Sequence, residues 1–568
     1  MLVLAALVRQ VVGLLSGSAY RGVADAFHRC HCHDGNVALH AATTALGVWG
    51  AVQLALVLGG PRCVAAYAAA VLLTTPAWLG LLNATCLAAA WWQAGSPAAA
   101  VLAVVAGYVL QDGAHWLTGE PTLVSTYWRR HPAQLFWHTL WLVPCTAEAC
   151  GRRRWGLPWF RATRRTLWVE AVASTQSVAE LRRWLAASVP SRAATTHLWP
   201  HAEAGTAGPT AALEADPAIR AGIHAVYPAR HWEVQVVRGM NELYVSAAGA
   251  PSTTTSDTVF YTPHVDGPFW WLPGASVLRV LVGLTPNTLV RTRFVHDAAF
   301  DRVLDEGQAL GFDYNRDLHW IDHTDTPNEQ RRALLKLHYV VYPKGWVRYG
   351  RTVAWLNERY NAWARGNFQR TLEVASVLAQ TNAWWIVSTT RTAALVEQYV
   401  GWGNAAFLVA AWWGLDATRF VCATSFYHYA LYAATYRWRA NVCFGRFVRD
   451  AQLFKSVAVA HLAVRLLPAV RLPRDTLPLL LLVGGLGVTA LASWRLGTTR
   501  TYFGAELGLV RPAWVVGFPY GTLPHPMILG QLVALGALWW GWPAMRGALV
   551  ATHAALYAAV LAQEMSSR

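Results

Sequence analysis

The chain has 568 residues, 55% of them hydrophobic, and 47 Lys and Arg against 31 Asp and Glu give a net charge of +16. That length implies more than one domain, and a mean hydropathy of +0.26 lies above the soluble average. The basic residues form no stripe with interleaved aromatics, so nucleic-acid binding is excluded as their reason; a membrane protein places such an excess at the cytoplasmic face, near anionic lipid. The eight cysteines include no Cys-x-x-Cys pair, which argues against a zinc ribbon, and they set out no disulfide framework.

In chain order, residues 1–150 read as a helical membrane module. Residues 1–17 carry one charge, Arg9, inside an apolar run, and read as a retained helix rather than a cleaved signal. Apolar runs follow at 37–59, 63–82 and 98–109, and another begins at 135–143. Residues 151–165 form a basic linker of the kind that stops at a membrane interface. Residues 166–350 read as soluble. The spacing predicts a helix over 177–188, a polar loop over 195–217, and short strands over 232–237, 243–247, 258–262, 277–284, 289–295 and 333–341. Residues 351–400 bridge by helix to a second membrane module, 401–568, with spans expected at 405–415, 421–434, 453–470, 479–494, 527–540 and 545–561. The fold class is a multidomain α-helical membrane protein with an inserted soluble β-barrel domain, double-stranded β-helix-like in form.

Three constellations carry chemistry. The first is histidine-rich: His28, His31, His33, Asn36 and His40, then Gln111, His115 and Glu120, then Pro144 and Glu148. Imidazole is the commonest metal ligand, and residues four apart share a helix face. This order resembles the yeast-type 2-hydroxy fatty acid dioxygenase family, over about the first 150 residues. The resemblance implies a small helical iron-binding membrane fold with His31, His40 and His115 as ligands.

The second is His264-Val-Asp266, after the expected strand 258–262, with His319 or His323 as a distal histidine and Arg331 and Arg332 beyond. Two histidines and one carboxylate hold Fe(II) while leaving coordination positions open. A following Arg can clamp the carboxylate of 2-oxoglutarate bidentately. The stretch resembles the 2-oxoglutarate/Fe(II) oxygenases, with His264, Asp266 and His319 as the preferred ligands.

The third lies near the C-terminus: Arg495-Leu-Gly-Thr-Thr-Arg-Thr-Tyr-Phe-Gly504, Gly517-Phe-Pro-Tyr-Gly521 and His525-Pro-Met-Ile-Leu-Gly530. Polar groups beside apolar spans are costly and tend to be functional. The pattern resembles the phospholipid N-methyltransferases, with Ile528 where that family usually has Tyr. The resemblance implies S-adenosylmethionine as methyl donor, Tyr502 and His525 at the reaction, and Gly497, Gly504, Gly508, Pro526, Gly530 and Glu564 around the cofactor.

Together these readings describe a membrane-bound S-adenosylmethionine-dependent N-methyltransferase acting on a lipid or lipid-linked amine, fused to iron-dependent oxygenase-like modules. An Fe(II)/2-oxoglutarate lipid oxygenase with a C-terminal anchor, or a non-enzymatic membrane scaffold, are the alternatives. The expected partners are a membrane lipid and the small-molecule cofactors, with no nucleic acid and the oligomeric state left open. An internal membrane such as the endoplasmic reticulum is the expected location, with the soluble domain cytoplasmic.

Overall fold

The computed structural model describes residues 18–32, 34–92, 95–122, 132–152, 163–189, 195–246, 256–272, 274–322, 332–373, 376–437, 442–543, 550, 552–554, 556–558 and 560. Most of these residues are helical. The chain falls into two units: Met1–Arg161, Leu415–Ala440 and Phe454–Arg568 in one, Ala162–Gly414 and Asn441–Leu453 in the other.

The first unit begins with α1 (Ser18–Arg29), α2 (Asp34–Gly59), α3 (Pro61–Thr74), α4 (Ala77–Trp92), α5 (Pro97–Thr118), α6 (Pro132–Leu140) and α7 (Leu142–Arg152). α2 and α5 cross closely because small residues face each other: a Cβ on Gly107 would stand 2.9 Å from Gly47 Cα and 3.0 Å from the Thr43 carbonyl. Membrane helices approach through such small-residue seams. The single span expected over 63–82 is two helices. Thr75 precedes Pro76 and adopts φ −121, ψ 164, because the proline ring disfavours helical backbone at the residue before it.

The second unit holds β1 (Leu167–Val169), α8 (Thr175–Ser188), β2 (Thr196–Leu198), α9 (Ala207–Glu214), α10 (Pro217–Val226), β3 (Trp232–Val236), β4 (Glu242–Val245), β5 (Ser276–Gly283), β6 (Arg291–Phe294), β7 (Arg302–Val303), β8 (Ala309–Asp313), β9 (His319–Asp322), β10 (Ala333–Pro343), α11 (Val347–Glu373), α12 (Val377–Tyr399) and α13 (Trp402–Gly414). Seven strands form one antiparallel sheet in the order β1-β8-β5-β10-β4-β2, with β3 also on β10; β7-β6-β9 form a second sheet. Side chains alternate between sheet faces. Leu278, Val280 and Val282 of β5 and Leu335, Leu337, Tyr339 and Val341 of β10 therefore pack with Val178, Leu181 and Leu185 of α8 and Ile219 and Ile223 of α10. The opposite face places Tyr244, Leu281, Leu310, Phe312 and Leu334 against Phe294 of the smaller sheet.

The expected closed barrel is not seen among the described residues. Closure requires strand pairing all the way round, and the three-residue β1 and β2 end the larger sheet with one strand neighbour each. The expected strand 258–262 is part of a 3-10 helix, Ser256–Tyr261. There Phe260 packs on the rings of Tyr244, His197 and Phe368, and tertiary packing overrides β propensity. The expected loop 195–217 contains β2 and α9. α10 follows directly, capped by Asp216, which accepts from Ala218 and Ile219 N–H, with Pro217 in its first turn, a start signal the sequence carries.

α14 (Ala417–Arg437), α15 (Phe444–Leu466), α16 (Thr476–Leu496), α17 (Thr498–Thr501) and α18 (Pro526–Gly541) complete the labelled elements. The expected span 545–561 falls mostly outside the described residues. Among the described residues, three helices are long and apolar enough to cross a membrane: Asn36–Gly59, Pro97–Thr118 and Thr476–Leu496.

Candidate metal centres

In the second unit, His264 and His319 face each other as an antiparallel main-chain pair. His264 N–H donates to the His319 carbonyl at 3.1 Å, and His319 N–H donates back at 3.0 Å. Each ring is then turned by its own backbone. His264 Nδ1 donates to the Thr262 carbonyl at 2.9 Å and His319 Nδ1 to the Asp317 carbonyl at 3.0 Å. A carbonyl only accepts, so the proton sits on Nδ1 and the lone pair on Nε2, as a ligating histidine requires.

Both Nε2 atoms point to Asp266, at 3.7 Å from Oδ1 for His264 and 3.5 Å from Oδ2 for His319. Those gaps are too long for hydrogen bonds, and His264 Nε2 has no hydrogen-bond partner among the described residues. One ligand atom from each of the three residues lies within 4.8 Å of the others. The donor set fits a divalent transition metal.

The electrostatics keep these ligands in binding form. Burial, aided by the neighbouring His319, pushes His264 down to about 4, and burial also lowers His319. Burial acts to raise Asp266, but Arg279, whose Nη1 is 2.7 Å from Oδ2, outweighs it and holds the carboxyl below its usual range. Near neutral pH the site is two neutral imidazoles and one carboxylate.

A small cavity lies beside the trio, walled by Phe260, Leu281, Phe312 and Ile321 among others, with Arg279, Arg332 and Lys336 as its cations. Two of these cations are matched, Arg279 by Asp266 and Lys336 by Glu242 at 3.0 Å. Glu242 also accepts from His197 Nδ1 at 2.5 Å. Arg332 differs. It is 1% exposed, and its Nε and Nη2 have no hydrogen-bond partner among the described residues. Arg331 and His323 lie outside the described residues. Sequence reasoning missed Arg279, Lys336 and Glu242. A lone charge inside an apolar strand, as in Val-Leu-Arg279-Val-Leu and Leu-Leu-Lys336-Leu, was the available signal.

The first unit brings together His31, His40 and His115, again with ligand atoms within 4.8 Å. Ring centroids are 4.3 Å apart for His31 and His40, 4.7 Å for His31 and His115, and 4.9 Å for His40 and His115. All three are buried. His31 Nδ1 donates to the Phe27 carbonyl at 2.7 Å. Asn36 Nδ2 donates to Glu120 Oε2 at 2.7 Å and stands 3.2 Å from His115 Nδ1. Gln111 instead bonds Thr44 at 2.9 Å, and Glu148 accepts from Tyr20 at 2.7 Å. His33 lies outside the described residues.

The C-terminal loop is more dispersed. His525 is exposed and caps α18 with φ 46, Pro526 following in the first turn. Gly530 faces α16: a Cβ there would stand 2.5 Å from the Gly485 carbonyl, so helix contact accounts for this glycine. Gly497 and Gly508 have φ 79 and 73, and Gly504 is buried. Tyr502 is buried, with Lys455 Nζ 5.1 Å from its ring centre. Glu564 lies outside the described residues.

No protein-family profile matches the chain, and no curated protein matches it. Among solved structures, the chain is similar to a prolyl-4-hydroxylase from Pseudomonas putida, at 15% identity over 32% of this chain and 95% of that one, with a TM-score of 0.21. At that level the likeness assigns neither fold nor activity.

Proposed function

We propose that the second unit is an Fe(II)- and 2-oxoglutarate-dependent oxygenase. One observation carries this reading: a buried guanidinium, Arg332, whose Nε and Nη2 have no hydrogen-bond partner among the described residues, lines the same cavity as a convergent two-histidine, one-carboxylate trio. An unpaired buried cation is costly unless an anion joins it, and a dicarboxylate cosubstrate meets that need. His264, Asp266 and His319 hold the metal, and Arg279 keeps Asp266 ionised and oriented. Arg332 takes a carboxylate as a bidentate pair, and the apolar walls exclude water. An iron held by these three ligands would supply oxygen activation, with 2-oxoglutarate as the two-electron reductant that would leave as succinate and carbon dioxide. A lipid or lipid-linked molecule is the proposed substrate class, given the three apolar helices in the same chain, with the oxygenase unit on the cytoplasmic side. Full-length protein in nanodiscs should bind radiolabelled 2-oxoglutarate in the presence of metal and lose it in Arg332→Ala; undiminished binding in that variant overturns the assignment.

The buried imidazole trio of the first unit supports a second iron site on lipid. Metal analysis of His40→Ala, expected to lose one equivalent, tests it. For the C-terminal loop, methyl transfer from S-adenosylmethionine to a lipid amine rests on the sequence resemblance alone. Labelled cofactor should bind the wild type and bind His525→Ala more weakly; equal binding removes this reading.

A further inference from the structure

We infer that Arg446 is a positioning residue for the second unit's metal centre: its guanidinium clamps the Asp317 carboxylate and the Arg316 carbonyl, so that the Asp317 carbonyl holds His319 Nδ1 and aims Nε2 at Asp266. The inference rests on reading His264, Asp266 and His319 as metal ligands.

The aim of His319 depends on one acceptor, the Asp317 carbonyl. That carbonyl belongs to a tight turn after β8. Asp313 N–H donates to Asp317 Oδ2 at 2.6 Å, Asp317 N–H to the Asp313 carbonyl at 3.0 Å, and Asn315 N–H to Asp313 Oδ1 at 2.9 Å. The turn thus buries two carboxylates side by side, Asp313 at 0% exposure and Asp317 at 6%. Asp313 has Arg316 at 3.1 Å and Arg165 at 3.7 Å. Among the described residues, Asp317 has a single ion-pair partner, Arg446, whose Nη2 also donates to the Arg316 carbonyl at 2.7 Å. Without Arg446, a buried carboxylate beside another carboxylate lacks its cation, and the turn must give way.

Arg446 arrives from 129 positions further along the chain, on a short stretch flanked in sequence by two segments of the other unit. The stretch is seated at several points. Val442 pairs with Thr163 in an antiparallel bridge. Gly445 N–H and Cys443 Sγ both donate to the His296 carbonyl, at 3.2 and 3.3 Å. Arg449 pairs with Glu397 at 3.1 Å. His296 follows β6, the strand on which His319 is registered through Phe294. The stretch therefore braces both strands that present the distal histidine.

The test uses full-length protein carrying His40→Ala and His115→Ala, so that only one cluster takes up metal. Co(II) is titrated and followed by its visible absorption. Arg446→Gln and Asp317→Asn should each loosen Co(II) about tenfold, as loss of an outer-shell partner does, and alter the cobalt spectrum. The double variant should be no weaker than either single one, because both break the same chain of bonds. Arg446→Lys keeps the charge that folding needs but loses the planar fork; it should shift affinity in the same direction by less. Arg182→Gln, which breaks the more exposed pair with Glu306, should leave affinity unchanged. Wild-type affinity and spectrum in the Arg446 variants, or a double variant showing the product of both losses, overturns the inference. If His264→Ala removes no cobalt from the parent protein, the metal-site reading itself falls, and this inference with it.

Discussion

The two histidine clusters use the same side chain on different scaffolds. In the first unit, three imidazoles meet between helices; His31 takes its orientation from a backbone carbonyl, and the His115 ring stands beside the Asn36 amide. In the second, two histidines are locked by a reciprocal main-chain pair, and each ring is turned by the carbonyl two residues before it. The second also mixes in a carboxylate and lies beside a cavity where Arg332 Nε and Nη2 have no hydrogen-bond partner among the described residues. A trio of neutral imidazoles leaves the whole charge of a divalent ion for whatever binds next. A carboxylate lowers that charge by one, and a nearby guanidinium restores attraction for an anion at a defined place. Ligand count is thus similar in the two clusters, and the surroundings decide what each can accept.

The largest expected effect separates the clusters outright. His264→Ala should remove metal from the second unit and leave one equivalent in the first, and His31→Ala should do the reverse. Elemental analysis of both purified variants checks this, and loss of both equivalents from either variant would show that the clusters are not independent.

Next in size is Arg332→Ala. Losing a charged bidentate contact removes about 1.5–3 kcal/mol, or about 10- to 160-fold in 2-oxoglutarate affinity by isothermal titration, with metal content unchanged. An equal loss in Lys336→Met would show that Lys336, despite its Glu242 partner, shares the anion.

A smaller change sharpens the first cluster. Asn36→Leu removes the amide between His115 and Glu120 and should weaken metal binding there about tenfold, with no change in the second unit. Metal competition against a colorimetric chelator reads both sites.

The smallest effect concerns pH. His296 is pushed down to about 3, chiefly by burial and then by Arg449 and Arg446. A depressed folded value means the unfolded chain takes up the proton first as pH falls. The stability from neutral His296 is therefore complete above about 6.5 and is lost as pH drops toward 3. His296→Gln should flatten that part of the denaturation midpoint against pH; an unchanged slope would mean the ring is already protonated in the folded protein.

Much of this was legible locally. Strands β5 and β10 declare themselves by short Val- and Leu-rich apolar runs, helices α2, α5 and α16 by long apolar stretches, and His264, Asp266 and His319 by residue type and order. Periodicity and motif spacing are properties of neighbours in the chain, so a sequence by itself determines them. Local signals failed where packing outvoted propensity, as at Ser256–Tyr261, and where strands are short, as at β8 and β9. The tertiary structure alone decided that the seven strands stop short of a closed barrel among the described residues, that Asp266 and Glu242 consume two of the three cavity cations, that Gly530 serves a helix contact, and that Arg446 reaches the turn before His319. Each depends on which distant residues meet in a buried, weakly screening interior, where one unpaired charge outweighs several local preferences, and no spacing along the chain records that meeting.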